Sequence, residues 1–190
     1  MKSLDTFSFD QWQANDFITA EPFRSYIDDV KEMLFGLPIT AIHTMGCIFN
    51  LEDLEGGDGE GDVAGKTFLE LDEPIVLDFE GKHLEIWFIN TSHAKVGINT
   101  LTLKGKSYQP YPWRDVTKYF PKVIGQTLKD ISLSGCNEGF YDSVFSGDGD
   151  RPDGGDYFDM LTLVFQNDHT IGLYGSYEHM YVAEGSIGDM

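Results

Sequence analysis

Between Phe23 and Leu34 the chain carries an apolar residue at every third or fourth position, which is the spacing of one face of an α-helix. Pro22 suits the first turn of such a helix, because the N–H that proline lacks has no helical partner there. Gly36 favours the left-handed conformation that ends a helix, and Pro38 prevents the helix from continuing. The pattern therefore predicts an amphipathic helix that starts at Pro22 and ends before Gly36.

A second, shorter apolar stripe follows Pro112 and stops at Pro121. Its spacing is again three and four, which predicts a second helix. The residues of this stripe are Trp113, Val116, Tyr119 and Phe120. Residues 104–112, just before the stripe, are rich in proline and tyrosine and predict a linker.

Most of the other apolar residues alternate with polar ones, which is the period of a half-buried β-strand. The alternation predicts strands at 39–49, 67–71, 74–79, 84–89, 96–103, 128–133, 160–165, 170–174 and 181–182. Short turns at residues 80–82 and 166–168 join neighbouring strands into two hairpins. The chain is therefore expected to be rich in antiparallel β-structure.

The order of these elements repeats along the chain. At an offset of 89, Gly36, Ile39, Ile42, Gly46 and Cys47 meet Gly125, Leu128, Ile131, Gly135 and Cys136. At an offset of 86, Leu77, Phe79, His83, Phe88, His93 and Val96 meet Leu163, Phe165, His169, Tyr174, His179 and Val182. Self-similarity of this kind indicates an internal duplication.

We therefore predict an α+β fold, predominantly antiparallel, built from two tandem copies of a unit that consists of a helix and a β-meander. After an N-terminal lead-in at 1–21, the first copy covers 22–103, the linker 104–112 and the second copy 113–190. Neither copy has enough apolar surface for a comfortable core of its own. We expect the two copies to form one globule, related by an approximate twofold axis.

Composition narrows the classes of partner. The 190 residues include 32 acidic and 13 basic side chains, which gives a net charge of -19 at pH 7. Such a surface repels phosphate groups, so nucleic acids and anionic membranes are excluded as partners and a basic protein is favoured. The N-terminus lacks the apolar core of a signal peptide, and the chain has only two cysteines. We expect a cytoplasmic protein without a cofactor.

Much of the negative charge falls in two loops rich in glycine and aspartate, residues 52–62 and 148–159. We predict that the loops bind a basic partner through Glu52, Asp53, Glu55, Asp58, Glu60, Asp62, Asp148, Asp150, Asp153 and Asp156. The alternative is a divalent-cation or small-ligand site, because calcium takes about six to eight oxygen ligands from such loops. Its ligands would be Asp148, Asp150, Asp153 and Asp156, although Asp153 stands where an EF-hand requires glycine. A third interpretation is that the loops are solvated connections that keep strand edges apart.

The histidines, cysteines and linker aromatics give further candidates. The four repeated histidines form a metal pair in each copy or are ordinary polar residues at strand ends. They are His83, His93, His169 and His179. Cys47 and Cys136 are typical of buried thiols. Tyr108, Tyr111 and Trp113 either contact a partner or pack against the sheets.

Motifs of known catalytic chemistry are absent from the sequence. It contains no G-x-S-x-G, no Walker loop, no H-E-x-x-H and no dinucleotide fingerprint. We therefore predict a non-enzymatic protein-binding module. In size, acidity and lack of these motifs, the chain resembles the immunity proteins of bacterial polymorphic toxin systems. The resemblance implies an inhibitor that covers a basic toxin with a complementary acidic face.

Overall fold

The computed structural model describes residues 12–44, 49–50, 68–71, 74–90, 93–101, 113–134, 158, 160–175 and 180–186. This part of the chain forms one α-helix, one short 3-10 helix and twelve strands in two six-stranded sheets. Neighbouring strands pair antiparallel in both sheets. The predicted α+β class with mainly antiparallel pairing is confirmed.

The strands divide between the two sheets as follows. Sheet 1 contains β1 (Asn15–Phe17), β2 (Ile39–Thr44), β5 (Ile75–Phe79), β6 (Lys82–Asn90), β7 (His93–Ile98) and β8 (Arg114–Asp115), in the spatial order β1-β7-β6-β5-β2-β8. Sheet 2 contains β3 (Phe49–Asn50), β4 (Phe68–Leu71), β9 (Leu128–Ser134), β10 (Met160–Phe165), β11 (His169–Gly175) and β12 (Met180–Ser186), in the order β3-β4-β12-β11-β10-β9.

The helix α1 (Ala20–Leu34) is the one predicted from the first apolar stripe. Its buried face consists of Ala20, Phe23, Ile27, Val30 and Leu34. The last turn closes when Phe35 N donates to Lys31 O at 2.9 Å, and Gly36 follows with a φ of +81°. The ammonium of Lys82 on β6 donates to Met33 O at 2.9 Å, which satisfies a carbonyl that the helix end leaves open. The predicted start was two residues late, because Ala20 and Glu21 precede Pro22 in the first turn.

The second predicted helix is wrong. Residues 114–115 instead form β8, and only Thr117–Tyr119 are helical, in a 3-10 turn. Asp115 Oδ1 accepts the Thr117 N–H at 2.9 Å, and the side-chain hydrogen bond from Thr117, followed by this backbone bond, holds the pKa of the Asp115 carboxyl below its ordinary value. The Thr117 hydroxyl in turn accepts Ile42 N of β2 at 3.0 Å. Val116 and Phe120 are nevertheless fully buried, so the apolar spacing had identified core residues in the wrong type of element.

Each sheet contains four neighbouring antiparallel strands, β2-β5-β6-β7 in sheet 1 and β9-β10-β11-β12 in sheet 2. The two hairpin turns differ by one residue. Glu80 and Gly81 both have positive φ, as a two-residue hairpin loop of type I′ requires, whereas Gln166, Asn167 and Asp168 form a three-residue turn. Ile75 therefore faces Ile86, while Leu161 faces Leu173.

The extra turn residue shifts β11 by one position relative to the sequence offset of 86. The predicted equivalence of His83 with His169 and of Phe88 with Tyr174 is therefore wrong. Burial agrees with this correction, because Phe88 is fully buried and Tyr174 is only half-buried. The N-terminal lead-in also differs from expectation, since it contributes β1.

One core fills the space between the sheets. It combines buried residues of α1, of β2, β5, β6 and β7, and of β9 to β12. Phe23 lies at its aromatic centre, stacked on Phe17 at 4.8 Å and edge-on to Phe158 at 5.1 Å between ring centroids. A second, smaller cluster of Trp12, Val76 and Leu101 covers the outer face of sheet 1.

Each half of the chain places an element beside the main sheet of the other half. We call the contacts that these elements make between the two halves the crossed contacts. The first half (12–101) places α1 beside β9, where Lys31 Nζ lies 2.8 Å from Asp130 Oδ1, and pairs β4 with β12. The second half (113–186) places β8 beside β2, and Val116 N donates to Ile42 O at 2.9 Å. Between these contacts, Pro38 pairs with Thr127 in an isolated bridge. Each half thus depends on the other for its core.

Neutralising Lys31 is expected to raise the pKa of Asp130. The hydrogen bond from Lys31, followed by the 2.8 Å bond from Ile131 N, holds the pKa of this carboxyl below its ordinary value of 3.8. Because the folded pKa is the lower one, the contribution to stability is present above the unfolded pKa and is lost as pH falls through the folded value. In Lys31→Met, NMR titration of the Asp130 carboxyl should give a higher pKa.

The same variant should lose less than about 1 kcal/mol of stability at pH 7, because the Asp130 carboxylate is exposed and water screens the pair. Lys118→Met, which removes an exposed cation that lies over the Tyr119 ring, serves as the control. An unchanged Asp130 titration in Lys31→Met would show that the ion pair is not formed in solution.

Candidate functional site

Most of the residues predicted to bind a partner lie outside the described residues. These are Glu52, Asp53, Glu55, Asp58, Glu60, Asp62, Tyr108, Tyr111, Asp148, Asp150, Asp153 and Asp156. Both the protein-binding and the calcium-binding interpretations of the two loops therefore stay predictions. Trp113 is described, and it packs half-buried against the small cluster on the outer face of sheet 1.

Three of the described histidines form separate pairs with other groups. His93 Nε2 lies 2.5 Å from Asp16 Oδ1, which ties β1 to β7. His83 Nε2 lies 3.5 Å from Asp78 Oδ2, and His169 Nδ1 lies 3.3 Å from the carbonyl oxygen of Gly185. Among the described residues, no three side chains of His, Cys, Asp or Glu are grouped so that they could hold a metal ion. His179, Cys47 and Cys136 lie outside that part of the chain.

A fully buried carboxylate lies on the outer face of sheet 1. Glu85 of β6 has no exposed surface. Its Oε1 accepts Leu101 N at 2.7 Å, and its Oε2 accepts Thr100 N at 3.0 Å as well as the Thr100 hydroxyl. Three donors therefore replace the water that this carboxylate loses on burial, which a buried charge requires.

The surroundings of Glu85 tie three segments together. Trp12 Nε1 donates to Thr100 Oγ1 at 2.7 Å, so the N-terminal segment is attached to the same turn. Gly97 on the neighbouring strand β7 leaves the space for this arrangement, since a Cβ there would come within 2.7 Å of Glu85 Oε2. Because both carboxylate oxygens already accept hydrogen bonds, Glu85 positions the turn at 99–101 and the segment at Trp12.

The solvent-facing side of α1 carries a concentration of negative charge. Its exposed acids are Glu21, Asp28, Asp29 and Glu32, which we call the acidic helix face. Arg24 is the exposed basic residue of the helix, whereas Lys31 is half-buried and paired with Asp130. Asp28 and Glu32 are four residues apart, a spacing at which like charges repel one another and destabilise a helix by some tenths of a kcal/mol.

Apolar side chains accompany this acidic helix face. The large hydrophobic residues that are exposed in the described part of the chain are Ile18 at 69%, Met33 at 37% and Phe35 at 54%. Ile18 lies two residues before the start of α1, Met33 lies in its last turn, and Phe35 directly follows it. The helix thus presents four carboxylates between apolar side chains at its two ends. Such a surface suits contact with another protein, because apolar anchors add desolvated area to the electrostatic attraction.

Sequence reasoning placed the binding charge in the loops and did not identify either feature. The signal for the acidic helix face was present, since the positions between the apolar residues of α1 are mainly acidic. The signal for Glu85 was a single acid inside the apolar run of β6, LEIWF, at a position that points away from the main core.

No family model matches this chain, and no curated protein or solved structure is significantly similar to it. Among the described residues, α1 is the one α-helix. With 15 residues and a strongly charged outer face, it is too short and too polar to cross a membrane.

Proposed function

We propose that this chain is a non-enzymatic, cytoplasmic protein-binding module whose partner is a basic protein, and that it acts as an inhibitor of the immunity type. The observation that carries the proposal is the acidic helix face, flanked by the exposed side chains of Ile18 and Phe35. The net charge of -19 supports it, because a strongly acidic surface attracts basic proteins and speeds their encounter.

The dimensions of the helix define the surface that the partner must offer. Glu21 and Glu32 are eleven residues apart, which corresponds to about 16 Å along the axis of an α-helix. A basic patch of that length would pair with the acids and relieve the repulsion between Asp28 and Glu32. An apolar recess near one end of the patch would take Phe35, which loses exposed apolar surface on binding.

We also infer that the two halves arose by duplication and retain an approximate twofold relation. The inner positions Ile42 and Leu77 are paired in sheet 1 as Ile131 and Leu163 are paired in sheet 2. The glycines at the offset of 89, Gly36 and Gly125, have φ values of +81° and +80°. The bridge of Pro38 to Thr127 joins two positions that are equivalent at that offset, as a twofold axis between them requires.

Two charge-matched variants test the proposed function. The helix variant combines Glu21→Gln, Asp28→Asn and Glu32→Gln, and the loop variant combines Asp58→Asn, Glu60→Gln and Asp62→Asn. Each removes three negative charges and none of the buried residues of the described part. The native chain and both variants are used as baits in extracts of the source organism at low and high salt, and retained proteins are identified by mass spectrometry.

The native chain is expected to retain a basic protein at low salt and to lose it at high salt, because screening weakens contacts between exposed charges. The helix variant should bind this protein at least about tenfold more weakly, if each exposed pair contributes about 0.5–1 kcal/mol. Loss of binding by the loop variant alone would move the binding surface from α1 to the loop at 52–62. Retention of no basic protein, or equal and salt-independent retention by all three baits, would refute the proposal.

A further inference from the structure

The contacts that hold the two halves together have the character of an interface between two molecules. The first half reaches β9 and β12 of the second through α1 and β4, and the second half reaches β2 through β8 and Val116. These are one ion pair, ladder hydrogen bonds and apolar contacts, and none of them depends on the covalent chain. A second half supplied by another copy of the chain would make the same crossed contacts.

The covalent connection leaves room for such an exchange. The first half ends at Leu101 and the second begins at Trp113, and both residues pack in the small cluster on the outer face of sheet 1. The eleven residues between them span at most about 40 Å when fully extended. That length is comparable with the diameter of a small domain, so the second half can leave its own first half and still remain attached.

Electrostatic repulsion opposes the association of two copies. Each chain carries a net charge of -19, so two copies repel one another at low ionic strength. Added salt shortens the range of this repulsion to about 10 Å at 0.1 M and about 3 Å at 1 M. Exchange is therefore favoured by high chain concentration and high salt during folding, and disfavoured in dilute solution at low salt.

We propose that two copies of this chain exchange their second halves to form a domain-swapped dimer, in which every crossed contact is made between the copies. The dimer presents the acidic helix face twice. This inference goes beyond the proposed function and does not depend on it, because it rests on the crossed contacts and on the length of the connection between the halves.

The bridge between Pro38 and Thr127 provides a site for a diagnostic disulfide. Residues directly opposite one another on antiparallel strands have Cα atoms about 4.5–5.5 Å apart, within the range that a disulfide spans. All chains carry Cys47→Ser and Cys136→Ser. One tagged chain adds Pro38→Cys, a second, differently tagged chain adds Thr127→Cys, and a single-chain reference carries both substitutions. The two tagged chains are unfolded, mixed, refolded at several chain and salt concentrations, and then oxidised.

The mixed chains are expected to give a disulfide-linked dimer that carries both tags. Its ratio to monomer should rise about tenfold for each tenfold increase in chain concentration, as mass action requires, and should rise further with salt. Chains folded separately before mixing should give no such dimer. A control that mixes Arg24→Cys with Thr127→Cys chains should also give none, because Arg24 lies near the opposite end of α1 from the bridge.

The refolded native chain is measured in parallel by light scattering coupled to size exclusion. A species of twice the monomer mass with an unchanged circular dichroism spectrum supports the proposal. If the native chain is monomeric at every chain and salt concentration, the proposal is overturned. It is also overturned if the disulfide closes in the single-chain reference but the mixed chains give no dimer. Equal crosslinking in the Arg24→Cys control would also overturn it, because the association would then be nonspecific.

Discussion

Replacing Phe23 with alanine is expected to lower the free energy of unfolding by about 3–5 kcal/mol, the range for truncation of a buried phenylalanine. Phe23 is fully buried, and its ring meets Phe17 of β1, Phe88 of β6 and Phe158 of the second half at centroid distances of 4.8, 6.4 and 5.1 Å. The substitution removes the side chain that joins α1 to sheet 1 and to the second half. Urea denaturation followed by circular dichroism measures the loss.

Phe35→Ala is the matched control, because Phe35 adjoins the same helix but is 54% exposed. Its truncation should change the free energy of unfolding by no more than about 0.5 kcal/mol, as is usual for surface positions. Phe23→Leu keeps most of the buried volume and should fall between the two, which preserves a folded variant if Phe23→Ala unfolds. Equal stability of the Phe23→Ala and Phe35→Ala chains would mean that the aromatic centre is not formed.

Glu85→Gln is expected to lower the free energy of unfolding by about 2–3 kcal/mol, the scale of lost hydrogen bonds to a charged group. Glutamine has nearly the same shape but can accept at only one of its two terminal atoms. Its NH₂ group must face either Leu101 N or Thr100 N, both of which are donors to the carboxylate. One of these two N–H groups would therefore lose its partner. The unfolding free energy and the hydrogen-exchange rates of these two amides measure the effect.

Glu80→Gln controls for the loss of one negative charge, because Glu80 is exposed in the turn between β5 and β6. It should leave both the stability and the exchange of the Thr100 and Leu101 amides nearly unchanged. If these amides exchange as slowly in Glu85→Gln as in the native chain, the carboxylate does not hold the turn as described.

Local sequence patterns identified the elements whose partners are close in the chain. The stripe from Phe23 to Leu34 is long and has a proline near its start and a glycine after its end, so these local signals located α1 to within two residues. The stripe around Val116 has the same spacing but spans less than two turns. There the hydrogen bonds between Thr117 and Ile42 of β2 decide the local structure, and no local pattern contains them.

Among the strands, too, local patterns identified some and contacts with distant residues determine others. The long hairpin strands were predicted because their apolar residues alternate, whereas β1 and β8 have three and two residues and exist only through their pairing with β7 and β2. The register of β11 depended on one additional turn residue, which an alignment by sequence offset does not detect. Of the candidate site, too, one part could be predicted from the sequence and the other could not. The acids of α1 are evident in the sequence, but the burial of Glu85 requires the turn at 99–101 to fold back over β6.

Protein synthesis delivers the two sides of the shared core at different times. The buried face of α1 is translated roughly 100 residues before β9 and β10, an interval on the order of 5–20 s at about 5–20 residues per second. During that interval Phe23 and Leu34 cannot pack against the core residues that the second half supplies. Part of the apolar face of α1 therefore stays exposed on the nascent chain until the second half has left the ribosome, and the shared core cannot close before then.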